Sequence, residues 1–176
     1  MLQLEVASTI ALFEACKARN LSTIRTLLHN RTLTGINNIN EKKKGLMQLA
    51  LGAAKVNTDE AKMAHTAEII DFLCSKGADP DVKDGQGNAA IHVCAKNLNL
   101  RAATVLLDRN ALVNLTDKSG RMALYLTALE TDPDLEFVKM LLDRGASLEG
   151  KTLPKLPANA RRSQYEVRAL IRARLR

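Results

Sequence analysis

The residues best able to do chemistry lie in the segment NAAIHVCAKN, residues 88–97, where His92 and Cys94 are two positions apart. Such a pair could begin a metal site, form a thiol–imidazole pair for nucleophilic catalysis, or serve the structure alone. Zinc needs about four ligands at workable spacing, and the other histidines, His29 and His65, have no cysteine near them in the sequence. Side chains at positions i and i+2 of a helix point about 200° apart, so this imidazole cannot activate this thiol. The sequence therefore predicts structural roles for both residues and no metal site.

Motifs for other chemistry are missing from the sequence. It contains no H-E-x-x-H, no G-x-S-x-G and no complete phosphate-binding loop. The segment DGQG, residues 84–87, lacks the Lys-Ser/Thr pair that ends such a loop, and it fits a tight turn better. We therefore expect no catalytic residue, no cofactor and no small-molecule ligand, and the protein is predicted not to be an enzyme.

The composition suits stacked helices inside a cell. Of 176 residues, 46% are hydrophobic but only 3% are aromatic, so the core must be built from aliphatic side chains and alanine. Three widely spaced cysteines do not form a disulfide framework, and this favours a reducing compartment. We find neither a signal peptide nor a run of about 18 apolar residues that could span a membrane. The expected location is cytoplasmic, nuclear or both, with no membrane partner.

The segments that position His92 and Cys94 belong to a sequence repeat. The segments FLCSKGADPD (72–81), VLLDRNALVN (105–114) and MLLDRGASLE (140–149) share one pattern, and its first leucine recurs after 33 and then 35 residues. Turn-like segments DGQGN (84–88) and DKSGR (117–121) are also 33 residues apart, and each leads into a short Ala-rich helix. Each unit reads as turn, helix, loop and second helix, and such a unit buries its apolar face only against its neighbours.

These features resemble ankyrin repeats. The period of 33, the D-x-x-G turns, AIHVCA in place of T-P-L-H-x-A, and the LL-x-x-G-A endings carry the resemblance. It implies an all-α solenoid of stacked helix–turn–helix units with short hairpin turns. We expect one domain over residues 1–176, as four repeats and a C-terminal cap; the repeats are about 8–40, 41–81, 82–114 and 115–149, and the cap is 150–176. The imidazole of His92 would then bond backbone groups of its own turn and of the next repeat, and Cys94 would be a small buried residue.

The resemblance also implies a binding surface. Ankyrin arrays bind other proteins along a concave face made of turn tips and first helices, so we expect a non-catalytic scaffold or adaptor that belongs to a larger protein. The basic residues expected on this concave face predict a partner protein or peptide that is acidic or phosphorylated, although ordinary solubilising charge explains these residues equally well. The expected concave positions are Lys17, Lys42, Lys44, Gln86, Asn88, Lys96, Asn97, Lys118, Ser119, Arg121 and Leu129.

Two further segments carry their own expectations. About eleven extra residues interrupt the second repeat around 53–66, and they are expected to extend its two helices. Asp132 and Pro133 are expected to begin a later second helix, as its cap and first residue. Asn114 stands where ankyrin repeats are hydroxylated by asparaginyl hydroxylases, and it is a candidate for that modification.

The last segment carries the net charge of +7, because residues 151–176 hold eight basic side chains and one acidic one. A capping box from Ser163 to Glu166 is expected to begin a helix with an apolar stripe that includes Leu175. A basic patch on its other side offers an alternative function, the binding of nucleic acid or of an acidic partner, although no aromatic residues are interleaved with the charges. The patch would consist of Arg161, Arg162, Arg168, Arg172 and Arg176.

Overall fold

The structure is a computed structural model that describes residues 2–29, 36–37, 40, 45–52, 60–148 and 151–175, with only the backbone of residues 2–7. Within these residues the chain forms nine α-helices and no β-strand, which confirms the predicted all-α class. The helices are α1 Leu2–Lys17, α2 Leu21–Leu28, α3 Leu46–Leu51, α4 Glu60–Ser75, α5 Ala90–Asn97, α6 Leu100–Asp108, α7 Ala123–Leu129, α8 Leu135–Asp143 and α9 Arg162–Arg174.

The helices stack in two layers. The first helices of successive pairs pack in the order α1, α3, α5 and α7, and the second helices α4, α6 and α8 pack in a parallel row. Within each pair the two helices are antiparallel neighbours joined by a short loop, apart from the pair that carries the insertion. Each pair therefore buries its apolar face against the next, as expected for a solenoid.

The core is aliphatic and contains many alanines. Fully buried alanines stand on the first helices, among them Ala50, Ala95 and Ala123, and they let neighbouring helices approach closely. Larger side chains such as Ile69, Leu106 and Phe137 fill the space between the two layers. The shortage of aromatic residues is thus matched by a closely stacked architecture.

Helix ends are fixed by side chains that the local sequence supplies. Asn20 and Asn99 accept hydrogen bonds from backbone N–H groups in the first turns of α2 and α6. The cap of α8 is Asp134, which accepts from the N–H groups of Glu136 and Phe137. The prediction of Asp132 as cap and Pro133 as first helical residue was therefore wrong by two positions, because Asp134 offers its carboxylate closer to the first turn.

The insertion extends only one of its two helices. Helix α3 ends at Leu51, where Gly52 adopts a φ of +68° and terminates it. Helix α4 begins at Glu60 and is 16 residues long, compared with nine in α6 and in α8. The expected extension of the second helix is found and that of the first is not, while residues 53–59 lie outside the described part of the chain.

The C-terminal segment replaces a helix pair with a single helix. Residues 151–161, which follow the last turn, are not helical, and α9 packs mainly against α8. Val167 and Ile171 are buried there, but Leu175 is exposed and does not extend the apolar stripe as predicted. The predicted capping box is also wrong: Gln164 Oε1 accepts from Arg161 N–H, and the Ser163 hydroxyl bonds Asp132 instead. Helix α9 begins two residues earlier than the box implies, with Arg161 as its N-cap.

Candidate protein-binding surface

His92 is a structural residue of the repeat. Its side chain is fully buried, Nδ1 accepts the backbone N–H of Ala89 at 3.1 Å, and Nε2 lies 3.2 Å from the carbonyl oxygen of Arg121. Because Nδ1 accepts, the ring proton is on Nε2 and is donated to Arg121 in the next turn. Burial lowers the pKa of His92, so the ring is neutral at physiological pH. The expected contacts to its own turn and to the adjacent repeat are confirmed.

The three cysteines are free thiols in apolar surroundings. Cys16 and Cys94 are fully buried, and burial raises the pKa of Cys16 to about 12 and that of Cys94 further. Burial also raises the pKa of the partly exposed Cys74 to about 11. Thiols with such pKa values are poor nucleophiles. In the part of the chain that the structure describes, no three His, Cys, Asp or Glu side chains are close enough to hold a metal ion.

The hairpin tips are built in the same way in successive repeats. Asp84 and Asp117, 33 residues apart, are both buried, and each carboxylate accepts two backbone N–H groups of its own turn. The guanidinium of Arg121 also bonds Asp117, at 2.7–2.8 Å. Burial acts to raise the pKa of Asp117, but the N–H and guanidinium of Arg121 and the N–H of Ser119 outweigh it, so this pKa is lowered.

Five of the predicted concave residues are exposed. Gln86, Lys118 and Ser119 lie at the two hairpin tips, Lys17 ends α1 beside Glu14, and Leu129 ends α7. The prediction for Lys42 and Lys44 falls on residues outside the described ranges. The exposed set therefore belongs mainly to the turns and helices of the third and fourth repeats.

Four other predicted residues are held by contacts within the chain. Asn88 and Asn97 are buried, so the prediction that they face a partner was wrong. The amide of Asn97 donates to the carbonyl oxygens of Leu51 and Gly52 and so caps the end of α3 from the next repeat. Lys96 and Arg121 are half-buried. Lys96 Nζ donates to Asn88 Oδ1 at 2.8 Å, and Arg121 is held by the turn aspartate as described above.

Asn114 also links two repeats. Its Nδ2 donates to the carbonyl oxygen of Gly145 at 3.0 Å, and its Oδ1 accepts the N–H of Ser147 at 2.9 Å. Both polar ends of the amide are thus engaged with the following turn. Hydroxylation of this residue stays a prediction.

The Arg-rich helix is largely engaged in docking the C-terminal cap. Arg161 bonds Asp132 at 3.0 Å, and Arg162 pairs with Glu166 in the next helical turn at 2.7 Å. Arg168, predicted to lie on the exposed basic patch, is instead buried and donates to the carbonyl oxygen of Pro154. Arg172 is exposed, and Arg176 lies beyond the last described residue.

Cross-repeat ion pairs line the second helices. Arg109 pairs with Asp71, Arg144 with Asp108, and Arg174 with Asp143, at distances of 2.6–3.0 Å. In each pair the arginine lies one helix pair later in the stack than its carboxylate. The signal that could have revealed this was the repeated Asp-Arg dipeptide at 108–109 and 143–144.

Sequence analysis overlooked two residues near the tips. Lys83 Nζ donates to the carbonyl oxygen of Thr116 at 2.9 Å, and Lys151 Nζ donates to that of Ser119 at 3.3 Å. Lys151 also lies over the ring of Tyr125, 6.0 Å from its centre. Lys118 and Lys151 are 33 residues apart, so the repeat period would have identified the second from the first.

The stacked helix pairs, the aspartate-anchored tips and the bridging histidine define a helical repeat protein. The sequence model of the family described as ankyrin repeats (three copies) matches residues 60–152, more than half of the chain, so this chain belongs to the ankyrin-repeat family. It is 32% identical over 60 residues to ankyrin repeat protein L92 of Acanthamoeba polyphaga mimivirus. It is 30% identical over 80 residues to transient receptor potential cation channel subfamily A member 1 of Homo sapiens.

Both alignments are partial. They cover 34% and 45% of this chain, and they span only 14% and 7% of the two relatives. Within the described ranges, no helix is long and apolar enough to cross a bilayer.

Proposed function

We propose that this chain is a non-catalytic scaffold that binds a partner protein through the concave face formed by its hairpin tips and first helices. Ankyrin repeats are generally protein–protein interaction modules, and their family is generally non-catalytic. The observation that carries the proposal is the separation of roles at the tips. Asp84, Asp117 and His92 are buried and maintain the turns, whereas Gln86 and Ser119 are exposed between them.

Contacts between neighbouring residues support the proposal that the exposed residues form one continuous binding face. Lys118 N–H donates to the carbonyl oxygen of Gln86 at 3.2 Å, so the two tips form a continuous edge. Leu129, 38% exposed, adds an apolar side chain at the end of α7. An exposed apolar residue near a polar rim suits a protein partner. We also propose an intracellular location, cytoplasmic or nuclear, supported by the three free thiols, and a place within a longer protein.

The test is capture of partner proteins from a cell lysate, performed in parallel with and without nuclease treatment. A concave variant carries Gln86→Glu, Ser119→Glu and Leu129→Glu. A control variant carries the same number of new charges at exposed sites of α4 and α9, as Ala61→Glu, Ser75→Glu and Ala169→Glu. Both variants must melt as the wild type does.

A protein partner that is kept by the control and lost by the concave variant supports the proposal. Equal loss in both variants, or capture that depends on nucleic acid, refutes it. Capture that depends on nucleic acid would favour the Arg-rich helix as the binding site. Among the predicted patch residues that the structure describes, Arg172 is the one that is exposed and has no carboxylate partner.

A further inference from the structure

Three lysines lie at or beside the hairpin tips and share one type of contact. The ammonium groups of Lys83, Lys118 and Lys151 donate to the backbone carbonyl oxygens of Thr116, Gly85 and Ser119, each in a neighbouring repeat. Carbonyl oxygens are neutral acceptors, so these bonds fix the position of each charge without cancelling it. The tips thus hold cations in place at the edge of the stack.

Many cations elsewhere in the described chain are paired with a carboxylate, although Arg19 donates to the backbone carbonyl oxygens of Ala50 and Leu51 as the tip lysines do to theirs. Arg101, Arg109, Arg144, Arg161, Arg162, Arg174 and Lys139 all contact a carboxylate. None of the three tip lysines pairs with a carboxylate among the residues that the structure describes. Lys83 lies close enough to Asp81 to interact with its carboxylate. Lys118 and Lys151 are therefore the two tip lysines whose charge no carboxylate of the described residues is seen to balance.

The acidic residues of the tips do not offset this charge towards solvent. Asp84 and Asp117 are 5% and 6% exposed, and their oxygens accept the N–H groups of their turns. Counting Arg121 with the three lysines, four cations stand beside these two carboxylates. The groups that reach solvent at this edge are mainly ammonium groups.

The C-terminal end of the edge adds a further uncompensated cation. Arg168 is 8% exposed, its Nη1 bonds the carbonyl oxygen of Pro154, and its Nε has no hydrogen-bond partner within the described ranges. Burial lowers the pKa of Arg168, and repulsion by the nearby charge of Arg172 lowers it further. A nearby anion would relieve this repulsion.

The spacing of the lysines points to the shape of the anion. Lys118 and Lys151 occupy equivalent positions in successive units, and packed helices are separated by about 8–10 Å. An extended peptide advances about 3.3 Å per residue, so three residues span one such step. We propose that the edge formed by Lys118 and Lys151 binds an extended acidic segment of the partner, with carboxylate or phosphate groups at every third residue. This inference rests on the proposed function and assigns the chemistry of its partner.

The test measures binding of fluorescent synthetic peptides by anisotropy at low and at physiological salt. One peptide has glutamates at every third position, a second has the same composition with the glutamates adjacent at one end, and a third has phosphoserine in place of the spaced glutamates. A single-stranded DNA oligonucleotide of equal charge is the fourth probe. The protein variants are Lys118→Gln with Lys151→Gln, and a control of equal charge, Lys76→Gln with Lys139→Gln.

We expect the spaced peptides to bind more tightly than the clustered one, and removal of the tip lysines to weaken them by up to about fivefold per lysine. The control pair should leave affinity unchanged, since Lys76 and Lys139 belong to the second-helix side. Stronger binding of the phosphoserine peptide would identify phosphate as the preferred anion, and equal binding would identify the carboxylate as sufficient.

Three results would overturn the inference: no peptide binding at low salt, equal binding of spaced and clustered peptides, or equal loss in both lysine variants. Tighter binding of the oligonucleotide through the same lysines would also overturn it, in favour of nucleic acid. The capture experiment, repeated with the tip-lysine variant, distinguishes failure of this inference from failure of the proposed function. If the tip-lysine variant still captures it and the concave variant does not, the scaffold proposal stands and the anionic segment is wrong.

Discussion

Replacement of His92 by alanine tests whether one imidazole joins the third and fourth repeats. The ring is fully buried, accepts the N–H of Ala89 and donates to the carbonyl oxygen of Arg121. His92→Ala leaves both backbone groups buried without their partner, at a cost of about 1–3 kcal/mol each. We therefore expect the free energy of unfolding to fall by about 2–6 kcal/mol, with a further contribution from the cavity.

The assay is urea unfolding followed by far-ultraviolet circular dichroism, with His29→Ala as the control. His29 is exposed at the end of α2, and its replacement should change the free energy of unfolding by no more than about 0.5 kcal/mol. A loss below about 1 kcal/mol for His92→Ala would contradict the assignment of both hydrogen bonds.

The same residue gives a pH dependence of known sign. Burial lowers the pKa of His92 in the folded chain, whereas in the unfolded chain it is about 6.5. Above pH 6.5 or so the ring is neutral in both states, so its stabilising contribution is fully present. As the pH falls below that value, the unfolded chain binds a proton that the folded chain does not, and stability is lost.

Unfolding measured from neutral to mildly acidic pH should therefore show a steeper loss in the wild type than in His92→Ala. The difference between the two proteins removes the contribution of the other histidines. Parallel curves for the two proteins would show that His92 is not held neutral by the fold.

Three further changes probe the tips and helix ends. Gly87→Ala should destabilise the fold by clearly more than Gly145→Ala in thermal melts. Both glycines have φ near +80°, but only at Gly87 would a Cβ lie 2.7 Å from Lys118 N. Equal losses of stability in the two variants would refute this close approach. Asn97→Ala should cost about 1–2 kcal/mol in urea unfolding by uncapping α3, whereas a neutral result would show that water replaces the amide. Asp117→Ala should cost about 1–3 kcal/mol at neutral pH. Since its folded pKa is lowered, that difference should shrink as the pH falls below about 4, and a constant difference would refute the assigned N–H contacts.

The repeat could be predicted because its motifs are short stretches of sequence and occur several times along the chain. The 33-residue interval between Leu73 and Leu106 and that between the two D-x-x-G turns place equivalent residues in equivalent surroundings. Once the period is known, the burial of Cys94 and the bridging contacts of His92 follow from their position in the unit, and the structure confirms both. The family match over residues 60–152 covers the repeats in which the period is clearest.

The candidate surface was harder to predict because polarity does not determine exposure. Asn88 and Asn97 are residue types common at surfaces, yet both are buried. The ammonium group of Lys96 in the same repeat bonds Asn88, and the carbonyl oxygen of Gly52 in the preceding repeat accepts from Asn97. Gln86 and Ser119, which are equally polar, lie where the turn projects from the stack and are exposed. A pattern of residue types predicts where a turn begins and ends, but it does not predict which groups of other segments will contact and bury its side chains.

The last segment shows the same division most clearly. Its basic composition and the amphipathic pattern of 162–174 determined that a helix would seal the stack. Only the tertiary structure decided that Arg168 turns inward to Pro154, that Arg161 reaches Asp132, and that Arg174 continues the ion-pair row through Asp143. Hydrophobic period and turn chemistry act over a few residues and are legible in one segment. The partner of a long charged side chain depends instead on which groups of another repeat come within a few ångströms of it.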